Sequence, residues 1–141
     1  MGPPQSNIDS SDLRETARKW ILQSLHDKKM AEMNYQHEGY DVAAFLSHQA
    51  VEKLFKGLFV IEGKKIPRTH HIDQLAKELL VPEEILPDIY RLAPDYQISR
   101  YPDISDCIPY EIYSMDIVSV KLQALDRIFT VLNPQYKEFI P

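Results

Sequence analysis

The sequence predicts an all-α domain, an up-and-down bundle of four to five helices, and three observations carry that prediction. First, the ten prolines avoid two long stretches. None lies between Gln5 and Ile66 or between Tyr110 and Asn133, whereas Pro82, Pro87, Pro94, Pro102 and Pro109 crowd the region between. A proline inside a helix costs about 3 kcal/mol, so long helices are expected at the start and end with a broken segment in the middle. Second, apolar residues recur at helical spacing through both proline-free stretches. Third, strand patterning is weak: runs such as Phe59-Val60-Ile61 sit inside a helical period. A length of 141 residues suits one domain. At that size folding buries roughly two-thirds of the unfolded surface, so the core should stand without disulfides or metal.

The first helix is expected to start at Ser10 or Ser11, where a hydroxyl can accept from an open amide. Leu13, Ala17, Trp20, Ile21, Ser24 and Leu25 give its apolar period, and it runs to about Tyr35, with Gly39 near the break. The second spans Asp41 to Glu62 and stops at Gly63, with Lys64 and Lys65 beyond. Ala43, Leu46, Ala50, Leu54, Gly57, Leu58 and Ile61 form one broad apolar face. Phe45, Phe55 and Phe59 fall on a separate flank with His48 and Glu52, while Gln49, Lys53 and Lys56 lie in a narrow polar wedge. A helix apolar on two sides is central in its own domain or covered by a second chain.

The third helix is expected to begin around Thr69 to His71 and reach Leu80. A short fourth follows Pro82, with Pro87 early enough to shorten or shift it. Residues from Pro94 to Pro109 read as irregular. The fifth spans Tyr110 to Leu132 and is stopped by Asn133-Pro134. Its polar arc holds Asp116, Ser119, Gln123, Arg127 and Thr130, and Lys121 is an exception within the apolar remainder, read as a snorkelling side chain. The domain boundaries expected are a disordered lead over 1–9, a helical domain over 10–133 and a tail over 134–141.

Composition narrows function chiefly by exclusion. Sixteen basic residues against twenty-one acidic give a net charge of −5, which disfavours extended nucleic-acid binding. The single cysteine, Cys107, excludes an intramolecular disulfide and a thiolate zinc cluster. No stretch approaches the roughly 20 apolar residues of a membrane span, and residues 1–9 lack the basic start and apolar middle of a secretory signal. A cytoplasmic location is therefore expected. His70-His71 has no His-x-x-x-His or carboxylate cluster around it, and the four glycines are too scattered for a phosphate loop. No metal and no cofactor are expected.

Helix two reads Ser47-His48-Gln49-Ala50-Val51-Glu52-Lys53-Leu54-Phe55-Lys56-Gly57-Leu58. A turn with Gly63 and Pro67 follows, then Thr69-His70-His71-Ile72, and further on Tyr96 and Ser99-Arg100-Tyr101-Pro102-Asp103 before a long last helix. This ordered set, from Glu15 to Leu132, resembles the HEPN domain family (higher eukaryotes and prokaryotes, nucleotide-binding). Gly57 stands where alanine is more usual, and His71 where aspartate is more usual. The resemblance implies a helical bundle, usually a homodimer. It implies either a metal-independent ribonuclease or a nucleotide-binding accessory subunit paired, as in a toxin–antitoxin couple, with a small nucleotidyltransferase.

In the ribonuclease branch that the resemblance implies, an arginine is followed, after four to six intervening residues, by a histidine, one to steady phosphate and one to move a proton. None of Arg14, Arg18, Arg68, Arg91, Arg100 and Arg127 has a histidine at that spacing. The sequence therefore carries no assigned catalytic residue. The runner-up is a ribonuclease toxin with a degenerate or displaced site, and a third reading is a purely structural interaction module. Candidate nucleotide contacts are Gln49, Glu52, Lys53, Lys56, His70, Tyr96, Arg100 and Tyr101. Arg100 supplies a fork for phosphate, and Tyr96 or Tyr101 a face for a base. Against this, Glu52 and Lys56 suit an ordinary helix-face ion pair. Arg100 with Tyr101 suits a structural pin, the tyrosine ring buried and the arginine paired with a carboxylate such as Glu52. Phe45, Phe55 and Phe59, if exposed together, would form a dimer interface.

Overall fold

The computed structural model describes residues 10–141, and the expected disordered lead lies outside them. Seven α-helical segments follow in order: α1 Ser10–Gln36, α2 Tyr40–Ile61, α3 Ile72–Leu79, α4 Leu86–Leu92, α5 Asp95–Ile98, α6 Pro109–Ile112 and α7 Met115–Tyr136. No strand occurs among the described residues. The five longer helices make the bundle; α5 is a single turn within the expected irregular segment, and α6 is a single turn where the fifth helix was expected to begin. None of the helices is long and apolar enough to cross a membrane.

α1 and α2 form an antiparallel hairpin. The last turn of α1 closes when Gly39 N–H reaches Asn34 C=O at 2.7 Å, with Glu38 taking the left-handed conformation (φ 66°). α2 then runs through the middle of the molecule, packing on α1, α3 and α7. It ends as its sequence predicts: Gly63 adopts φ 71°, letting Lys64 N–H return to Phe59 C=O at 2.9 Å. The core gathers Ile21, Leu54, Phe55, Leu58, Phe59, Leu75, Ile89, Leu125 and Ile128, all almost fully buried.

Phe55 and Phe59 are thus interior residues, each worth roughly 1.5–3 kcal/mol of burial, and no exposed three-phenylalanine patch exists. The two-sided apolarity of α2 is met within its own chain. α1, α3, α4 and α7 all contact it. Phe45, nearer the start, is half-buried.

Pro87 shifts the fourth helix as expected: α4 starts at Leu86 with Pro87 in its first turn, where a missing amide costs nothing, after a 3-10 turn at Glu83–Ile85. Two local departures from the sequence reading have physical causes. The last helix is interrupted at Tyr113, which is extended and turns its ring inward, and α7 restarts at Ser114, whose hydroxyl accepts from Ile117 N–H at 3.3 Å. Pro134 does not end α7, which continues to Tyr136. The amide it lacks would have reached Thr130 C=O, on an exposed turn that water can satisfy. Continuing buries Tyr136 and Phe139 in the core, with Tyr136 O–H donating to Phe129 C=O at 3.0 Å. The expected tail is therefore packed chain.

Gly57 marks a close approach of α1 to α2. A Cβ there would stand 2.7 Å from Ile21 Cδ1 and 3.2 Å from Trp20 Cβ, and Ile21 is fully buried with nowhere to swing. Gly57→Val is expected to lower stability by about 1–3 kcal/mol despite improved side-chain packing area. An unchanged chemical-denaturation midpoint would show that α1 is free to move outward.

Candidate functional site

One face of α2 carries His48, Glu52 and Lys56, four residues apart and therefore stacked along the helix. All three sit where α2 meets the α2–α3 loop and α5, so a charged stripe runs into a crowded interior. Glu52 is 4% exposed. A carboxylate so placed requires partners, and it has them. Lys56 Nζ lies 3.0 Å from Oε2, and His70 Nδ1, from the loop, lies 3.2 and 3.1 Å from Oε1 and Oε2. A carboxylate only accepts, so Nδ1 of His70 is the donor in this contact. The predicted Glu52–Lys56 ion pair is present.

His70 stacks on Tyr96, ring centroids 4.4 Å apart and planes within 11°. On Tyr96 lies Arg100, its guanidinium 4.3 Å from the ring centroid. The same guanidinium sits 4.9 Å from Phe45 and 4.8 Å from Tyr101. Its Nε donates to Tyr96 C=O at 3.0 Å and a terminal nitrogen donates to Tyr101 hydroxyl at 3.1 Å. Arg100 thus caps an aromatic ladder, Arg100–Tyr96–His70, and pairs with no carboxylate among the described residues. Tyr101 does not bury its ring; it is 45% exposed.

Beside the ladder opens a cleft of about 500 Å³, lined by Arg68, Thr69, His70, His71, Asp73 and Tyr96 among others. Arg68 makes no ion pair or hydrogen bond among the described residues and is exposed at the rim. His71 is the residue before α3 and provides no side-chain cap; Thr69 Oγ1 accepts its amide at 3.1 Å instead.

The structure divides the eight candidate contacts. Glu52, Lys56, His70, Tyr96, Arg100 and Tyr101 come together. Lys53 does not: one residue after Glu52 it points toward α1 and pairs with buried Asp27, which also accepts from Gln23 Nε2 at 3.0 Å. Gln49 is half-buried and makes no side-chain hydrogen bond among the described residues. Phe45 joins the ladder through Tyr96 (6.4 Å) and Arg100. Arg68 and His48 were not among the candidates. Arg68 immediately precedes Thr69-His70, and that adjacency was the available signal. His48 lies one turn before Glu52 on the same face.

His48 is fully buried, 3.9 Å from Glu52 and 5.5 Å from the Tyr96 ring, and neither ring nitrogen has a hydrogen-bond partner. Burial lowers its pKa to about 4, although Glu52 pulls upward. A second buried carboxylate, Asp95, anchors the ladder from below. Tyr113 hydroxyl donates to it at 2.7 Å, and Lys121 Nζ lies 2.7 Å from its other oxygen, off the line of a hydrogen bond. Lys121 also donates to Arg91 C=O at 2.9 Å. It therefore does not snorkel but neutralises an interior charge. Burial pushes the Asp95 carboxyl upward against the pull of Lys121 and Tyr113, and burial with Asp95 pushes the Tyr113 phenol well above its usual range. Arg127, on α7, clamps buried Asp88 of α4 at 2.6 and 3.0 Å. No group of three or more His, Cys, Asp or Glu among the described residues is arranged to hold a metal ion.

Lys121→Met leaves Asp95 buried without a counter-charge, keeping only the Tyr113 hydroxyl, and is expected to cost about 3 kcal/mol, read as a lower midpoint in urea. His48 supplies a pH signature. Its folded pKa lies below the unfolded one, so the unfolded chain binds the extra proton between these values. Stability is full above about pH 6.5 and falls as pH drops toward 4, by on the order of 2–3 kcal/mol. His48→Gln should flatten that part of the stability profile; an unchanged slope would assign it to other groups.

The HEPN domain profile matches residues 17–133. The fold is similar to the crystal structure of TT1696 from Thermus thermophilus, with a TM-score of 0.79 and 26% identity over 84% of this chain and 97% of that one. It is also similar to ST0689, described as an archaeal HEPN homologue, with a TM-score of 0.71 and 30% identity over 88% of this chain and 98% of that one. No curated protein matches the sequence. A bundle of this topology, with the profile covering α1 to α7, leaves one conclusion: the chain belongs to the HEPN domain family.

Proposed function

We propose that the chain is a nucleotide-binding accessory module, acting with a small nucleotidyltransferase and assembled as a homodimer, with no cleavage chemistry of its own. The observation that supports nucleotide binding is the parallel stack of His70 on Tyr96 at the edge of a cleft whose rim holds an uncommitted Arg68. A base extends such a stack for about 1–3 kcal/mol, and a guanidinium fork suits a phosphate. Arg100, already engaged with three rings and two oxygens, orients the ladder rather than grips the phosphate. With Arg68 opposed by Asp73 in the cleft, one nucleotide fits the charge better than an extended strand.

The partner and the dimer stand on the family resemblance. With Phe55 and Phe59 interior, the dimer has no phenylalanine patch to rest on. The lack of an Arg–His pair at the ribonuclease spacing supports an accessory role, as does the engagement of Arg127 with Asp88.

Titration with ATP, GTP and a short oligoribonucleotide is expected to raise the melting temperature for at least one mononucleotide, with dissociation constants in the micromolar to millimolar range. Arg68→Ala should abolish the shift while the unliganded melting temperature stays within about 2 °C of the parent. No shift with any nucleotide would overturn the binding reading. A light-scattering mass of one chain, 16.4 kDa, at tens of micromolar would overturn the dimer.

A further inference from the structure

The stretch from Tyr101 to Val120 holds out to solvent Ile104, Ile108, Tyr110, Met115, Ile117 and Val120, with Tyr110 66% exposed. Other exposed large hydrophobics among the described residues, such as Met33, Leu80 and Tyr90, are scattered along the chain. The inward residues of the stretch explain its posture. Tyr113 and Val118 are buried against Ala43 and Ala44 of α2, so the segment is docked on the bundle and its other side is left over.

Charge sets the character of that face. From Tyr101 to Val120 there is no lysine or arginine, whereas Asp103, Asp106, Glu111 and Asp116 are all exposed. None of these four carboxylates is paired among the described residues. The two bounding cations are committed elsewhere: Arg100 to the ladder and Lys121 to Asp95.

We propose that this face is a docking surface for a protein partner whose contact side is apolar and basic. Apolar side chains ringed by uncompensated carboxylates fit lysine and arginine around a hydrophobic centre, the complementarity that steers association. A second copy fits poorly, because a two-fold contact sets like against like and this stretch offers no cation to answer its own acids. The same carboxylates repel phosphate backbones and anionic headgroups. The surface gives a chemistry to the partner in the accessory reading and rests on it for the existence of that partner. It shares no lining residue with the nucleotide cleft, so the two fail separately.

The test uses the full chain and a fluorescent synthetic helix of leucine and lysine, amphipathic by design, beside a leucine–glutamate counterpart. Two combined variants are compared, Tyr110→Ser with Met115→Ser and Ile117→Ser, and Asp103→Asn with Asp106→Asn and Glu111→Gln; circular dichroism verifies their folding. All six positions are exposed, so both sets should fold. Anisotropy is expected to show binding of the lysine peptide only, weakened at least about tenfold by either variant set and by high salt. Binding that persists in Arg68→Ala supports the surface whatever the fate of the cleft. Equal binding of both peptides, or unchanged affinity in either variant set, overturns the proposal. Conversion of a dimer to a monomer by the serine variants would also overturn it, since a second copy would then be the occupant.

Discussion

A single buried carboxylate organises this molecule's candidate site. Glu52 lies on the central helix, where an unpaired charge would cost several kcal/mol, and its compensation draws in groups from two parts of the chain. Lys56 comes from the next turn and His70 from the loop that follows α2. Once Nδ1 of His70 is fixed, its ring plane is fixed too, and Tyr96 and Arg100 fall into a stack upon it. The ladder is thus the visible end of an electrostatic requirement set inside the bundle. Asp95 repeats the logic one layer away, holding α5, Tyr113 and Lys121 in mutual register.

These two carboxylates also explain why the middle of the chain is ordered despite its prolines. Short turns such as α5 and α6 have little helical stability of their own. Their positions are set by side-chain bonds to longer helices and by the burial of Tyr113 and Val118 on α2. Proline enters where its missing amide is harmless, as at Pro87 and Pro109 in first helical turns.

The long helices were legible in the sequence because periodicity and caps act locally. α1 and α2 appear within a residue or two of expectation, and Gly63 stops α2 through the backbone conformation that its composition suggests. What lay beyond the sequence was which side of a two-sided helix another element would cover. Phe55 and Phe59 looked available to a second chain, yet both are buried in the main core, and that depends on contacts between distant residues. Lys53 and Glu52 are neighbours in sequence but separate by about 100° around the helix, which sends one to Asp27 and the other to His70. The site was legible as a set of residue types, with Glu52, His70, Tyr96 and Arg100 meeting. Buried His48 and the free Arg68 were not, because burial and the lack of a partner are properties of the assembled chain. Pro134 misled for a related reason: Tyr136 and Phe139 reward continuation by packing that no local rule records.

The hydrogen bond from Tyr113 to Asp95 closes a loop of the chain at its base, 18 residues apart in sequence. Inside it lie Tyr96, Arg100, the first half of the apolar–acidic stretch and the exposed Cys107, and α5 and α6 at its two ends contact α2. Such a loop can open as one cooperative unit at a free energy below that of global unfolding. Its amides would then exchange together, ahead of those in α2. The aromatic ladder takes two of its three rungs from this loop, so a ligand seated there would slow exchange well outside its own footprint.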